Sequence, residues 1–138
     1  MKAIKEIIED YIHFSLDFCS KCINKYDEFY PFAFYLKKKK AMVIEPLDKT
    51  YLIDSTSQIK QFKHLGNELL KNEKSKSYCI GYDVRLKLEN KHYPALALFI
   101  KINNDLEFPN GRIFYYPYSK TDEFNYVFDL AFSVEAIV

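Results

Sequence analysis

The sequence predicts an α+β domain: two helices and a five-stranded antiparallel sheet, in the order α-β-β-α-β-β-β. Three observations carry it. Residues 78–102 alternate along two arms around a short polar break, as in a hairpin whose side chains point to opposite faces in turn. Two other stretches repeat apolar residues every three to four positions, the spacing of a helix with one buried face. The extended segments after the second of these are joined by short turns, which selects antiparallel pairing with helices covering the sheet.

The first helix runs from about Lys2 to Tyr26. Ile4, Ile8, Tyr11, Ser15, Phe18 and Cys22 form its stripe, widened by Ile7, Phe14 and Cys19. Phe29-Tyr30-Pro31 closes it, because a residue before proline is pushed away from helical geometry. Phe32–Leu36 and Ala41–Glu45 form a short hairpin around the turn Lys37–Lys40, and Pro46–Thr50 is a loop. The second helix opens at Ser55-Thr56-Ser57-Gln58, a capping-box pattern that satisfies free backbone N–H groups. Its stripe is Ile59, Phe62, Leu65, Gly66, Leu69 and Leu70. Gly66 costs about 1 kcal/mol against alanine in a helix, so close packing on a small-residue sheet face is the expected compensation.

In the central hairpin Ile80, Tyr82, Val84, Leu86 and Leu88 share one parity, as do Leu96, Leu98, Ile100 and Ile102. They are expected to make one large apolar face. Cys79, Gly81, Asp83, Arg85 and Lys87, with Ala95, Ala97 and Phe99, are expected to make a face of small residues and charges. Glu89-Asn90-Lys91-His92 is the turn. Arg112–Tyr116 is a strand closed by Pro117, and Tyr126–Glu135 alternates as the last one. This element order also occurs in profilin-like and roadblock-like architectures, a topological analogy that carries no function by itself.

A chain of 138 residues, 49% hydrophobic and 17% aromatic, is a single folded domain (1–138) with a sizeable core. A net charge of +1 gives no overall basic footprint for nucleic acid. The Lys37–Lys40 run reads as a solvated turn, with an anionic partner as the minority reading. Three cysteines without framework spacing suggest reduced thiols and a cytoplasmic location. No signal peptide is read at the start, and no apolar run approaches the roughly 20 residues of a membrane span. The abundance of Lys, Asn, Ile, Tyr and Phe resembles the usage of an AT-rich bacterial genome.

Several segments together resemble a family of small, largely uncharacterised bacterial proteins: Phe29–Phe32 (FYPF), Glu45–Thr50 (EPLDKT), Tyr82–Leu86 (YDVRL), Ile113–Tyr118 (IFYYPY) and Ala131–Glu135 (AFSVE). Some members resemble immunity proteins of bacterial toxin systems. The resemblance implies a protein partner and brings no catalytic residues with it.

The residues themselves offer little chemistry. Cys19-Ser20-Lys21-Cys22 is a lone CxxC within a helix, where a structural zinc site needs four ligands. His13, His64 and His92 fall in no recognisable nucleophile context, and three glycines make no phosphate-cradling loop. No cofactor or metal is expected, and no catalytic residue is named. The candidate binding surface is Asp83, Arg85 and Asp129, expected on the small-residue face, with Tyr115 and Tyr118. Two or three of Tyr30, Tyr35, Tyr115, Tyr116, Tyr118 and Tyr126 are expected to form an exposed patch, because tyrosine contributes contact area at little entropic cost. The resulting expectation is a non-enzymatic protein-binding module, in its sharpest form a toxin-neutralising one, with homodimerisation through the small-residue face or an edge strand as the competing use. The alternative is a small-molecule sensor with a pocket between sheet and helix, lined by Tyr82, Phe99 and Phe128 and gated by Asp83 and Arg85.

Overall fold

A computed structural model describes residues 3–45, 54–120, 124–126 and 131–136. Its elements are α1 (Ile4–Tyr26), β1 (Phe32–Lys37), β2 (Lys40–Val43), α2 (Ser55–Lys71), β3 (Ser77–Leu88), β4 (Lys91–Ile102), β5 (Arg112–Lys120), β6 (Phe124–Tyr126) and β7 (Phe132–Glu135). Every pairing is antiparallel. The strands lie side by side in the order β2-β1-β3-β4-β5-β6, with β7 also paired to β5.

The α+β class and both helices are as the periodicity predicts, but five strands is an undercount. The extended segments read from the sequence already number six, and the last of them divides in two. Between its pairings β5 advances three residues, from Tyr115 to Tyr118, while the returning chain uses six, from Tyr126 to Phe132. A mismatch of three residues cannot be held in one continuous ladder.

The sheet is covered on both faces. On one face α1 contributes Ile7, Ile8, Tyr11, Cys19 and Ile23 to a core with Phe32, Phe34, Cys79, Leu96, Leu98 and Ile100. On the other α2 contributes Phe62 and Leu70, against Ala33, Tyr78, Ile80 and Phe99. The register decides which residues share a face. Gly81 stands opposite Leu98 and Ile80 opposite Phe99, so the parities combine the other way from the expected large and small faces. Each face pairs small residues of one strand with large residues of its neighbour, and each can therefore receive a helix.

The glycines report the same close packing. A β-carbon on Gly66 would stand 2.5 Å from the Tyr78 ring. The compensation for a helical glycine is thus an aromatic ring, not a small-residue face. Gly81 lies beneath the Phe32 ring, and Phe32 is its register partner on β1.

Both hairpins close with two-residue turns. Glu89 and Asn90 have φ of 49° and 67°, and Lys38 and Lys39 have 50° and 68°, the left-handed pair that matches strand twist. Lys91 and His92 therefore belong to β4 and not to the turn. Pro117 does not close β5. It pairs with Ala95 at the end of the β4–β5 ladder, between the β7 and β6 pairings, where a missing N–H is tolerated. α2 is capped one residue earlier than the hydroxyl pattern suggests: the Asp54 carboxylate accepts the Ser57 N–H at 2.8 Å. α1 ends on Asp27, whose φ of 62° is left-handed and whose N–H donates to the Ile23 carbonyl, before the chain reaches Pro31.

Candidate functional site

Register brings three of the predicted surface residues together. Asp83 stands opposite Leu96 on β4, and Leu96 opposite Tyr116 on β5, so Tyr118 shares their face. The Tyr118 hydroxyl donates to Asp83 Oδ1 at 3.2 Å. Tyr118 is buried under α1 while Asp83 and Arg85 are exposed beyond it, which makes this a polar stop at the margin of the α1 core. Burial holds the phenol above its ordinary range, the Asp83 carboxylate adds to that, and Arg85 opposes it. The arrangement fixes a polar rim.

Tyr115 lies on the other face, opposite Ala97 and Phe132, and its ring stacks on Phe132 with centroids 4.9 Å apart. The predicted surface is therefore split by the sheet. Asp129 lies outside the described residues. The expected tyrosine patch does not form as drawn: Tyr30 is exposed, Tyr35, Tyr115 and Tyr116 are half-buried, and Tyr118 is buried. The side chain of Tyr126 is outside what is described.

Exposed apolar side chains lie instead on two outer strands among the described residues, β2 and β7, the latter through Phe132 and Val134. β2 is the outermost strand on its side and pairs with β1. Its Val43 is 62% exposed and Met42 38%. Val43 pairs with Phe34, and Phe34 meets the half-exposed Phe18 of α1 edge to face at 5.6 Å. The row Phe18–Phe34–Val43 thus carries the α1 core out to the surface. Composition gave no sign of this, because which strand forms the edge is settled by long-range pairing.

A hollow of about 280 Å³ lies between α2 and the β1–β2 edge, lined in part by Tyr35, Ile44, Leu65 and Leu69. It is not the pocket expected around Tyr82 and Phe99. Phe99 is buried, with the Lys63 ammonium 4.9 Å from its ring centre, and Phe128 lies outside the described residues. Cys19 and Cys79 are buried thiols outside any disulfide, and Cys22 is half-buried. Among the described residues no three His, Cys, Asp or Glu side chains are placed to hold a metal ion, and no helix is long and apolar enough to cross a membrane.

No family model matches the chain, and no curated protein or solved structure matches it. The resemblance to small bacterial proteins accordingly rests on the quoted motifs alone.

Proposed function

We propose that this chain is a cytoplasmic bacterial protein-binding module that acts without catalysing a reaction, and that its partner adds a strand at β2. The observation that carries this reading is the outermost place of β2 in the sheet among the described residues, with Val43 and Met42 exposed on its two sides. An edge strand offers unpaired backbone groups to an incoming segment, whose alternate side chains then meet the apolar ones beside it. Here those would be Val43 and Phe18 on the α1 side, and Met42 with Tyr35 on the α2 side. The immunity-like motifs give the reading its sharpest form, a partner that is a toxin blocked by complementary shape and charge. The profilin-like or roadblock-like analogy is one of element order and supplies no site.

The test is affinity capture from a bacterial lysate after light scattering has fixed the oligomeric state. Wild type is compared with Val43→Lys and with the double variant Asp83→Ala, Arg85→Ala. One stoichiometric partner lost in Val43→Lys and kept in the double variant is expected. Loss in the double variant alone would move the surface to the Asp83 rim, and no partner in any sample would end the reading. A wild-type dimer that Val43→Lys converts to monomer would make a second copy the occupant of the edge. The hollow beside α2 supports a second reading, a small-molecule sensor, for which a ligand raising the melting temperature is the expected sign.

A further inference from the structure

Two lysine groups distant in sequence meet around one cleft at the opposite end of the β1–β2 hairpin from Val43. Lys37 ends β1, Lys38 and Lys39 form the β1–β2 turn, and Lys74 and Lys76 come from the α2–β3 connection; the cleft measures about 600 Å³. We propose that it binds a small, multiply charged anion of the phosphate-ester or polyphosphate class.

Three features support this. First, none of the five ammonium groups pairs with a carboxylate among the described residues. Glu6 and Glu73 line the same cleft, so five positive charges face two negative ones, and a bound anion would relieve their repulsion. Second, Lys38 and Lys39 are held at fixed left-handed positions of a two-residue turn, a geometry shared with Glu89 and Asn90 and one that asparagine and glycine fit better, so the turn sets both lysines beside the cleft that Lys74 and Lys76 also line. Third, a buried hydroxyl pair lies beside the cleft. The Leu36 N–H donates to Tyr11 Oη at 3.0 Å, and the Tyr11 and Ser77 hydroxyls share one bond of 2.7 Å. Either hydroxyl can be the donor of that bond, so one hydroxyl hydrogen of the pair has no acceptor among the described residues, and buried Ser77 lines the cleft.

The volume lies in the range of small-ligand pockets. A net charge of +1 leaves no extended basic surface for a long polyanion, which favours a compact anion over nucleic acid.

The test is calorimetric titration with sodium tripolyphosphate at low salt. The variants are Lys74→Gln, Lys76→Gln and, separately, Lys38→Asn, Lys39→Gly, the latter chosen because it suits the turn and keeps the fold. Each pair should weaken binding about ten-fold or more, while Lys21→Gln, Lys60→Gln, remote from the cleft, should leave it unchanged. Saturating tripolyphosphate should raise the melting temperature of the wild type by roughly 5–10 °C. No binding by wild type, equal binding by the cleft variants, or binding of a short single-stranded RNA without tripolyphosphate would overturn the proposal.

Discussion

A methyl group at Gly66 would stand 2.5 Å from the Tyr78 ring, and that ring cannot swing aside freely. Its hydroxyl donates to Asn67 Oδ1 at 2.8 Å. Gly66→Ala thus sets a helix-propensity gain of about 1 kcal/mol against an overpacking cost of about 1–3 kcal/mol. A net drop in melting temperature is expected, and a rise would show that Tyr78 relaxes. Gly81→Ala should be worse, because Phe32 above it is held by Phe18, Phe29 and Phe34. Tyr118→Phe should be mild by comparison. It removes one hydrogen bond, worth about 1 kcal/mol, and leaves Asp83 in contact with water; urea denaturation measures the difference.

Turns and caps are where single elements can be adjusted without touching the core. Glu89 and Asn90 form a left-handed pair, and a non-glycine residue there carries a cost of about 1–2 kcal/mol. Glu89→Asn with Asn90→Gly should recover about 1 kcal/mol of this, seen as a higher denaturation midpoint with an unchanged slope. At the start of α2, Asp54→Ala should lower the melting temperature and Asp54→Ser should preserve most of it, because the serine hydroxyl can still accept the Ser57 N–H. Equal effects of alanine and serine would show that the cap does not hold the helix.

The whole molecule should fail on the alkaline side. Tyr11, Tyr78 and Tyr118 are all held above their ordinary value of 10.0, chiefly by burial, and burial pushes the Cys79 thiol from 9.0 up to about 12. Above those ordinary values the unfolded chain loses protons that the folded chain retains. Stability contributed by these groups is therefore complete below pH 9 and falls as pH rises through 10 towards 12. Urea denaturation at pH 8, 10 and 11 checks this, and the Tyr118→Phe variant should show a shallower decline. A profile flat across that range would mean these side chains are more hydrated than their burial indicates.

The sequence by itself determined whatever rests on local periodicity. α1 and α2 follow from apolar spacing, the central hairpin from alternation, and the lysine turn from a charged run between two apolar ones. It did not determine faces, edges or neighbours. Parity says which residues of a strand stand together, but only the β3–β4 register says that Gly81 joins Leu98 and Ile80 joins Phe99. One residue of slip exchanges every side chain between faces, and no single strand encodes it. For the same reason Tyr115 and Tyr118 could be named together and still fall on opposite sides of the sheet. The exposure of Val43 and the meeting of Lys38 with Lys74 depend on contacts between segments distant in sequence, so the tertiary structure alone decided which of the described strands lies outermost and where the chain gathers charge.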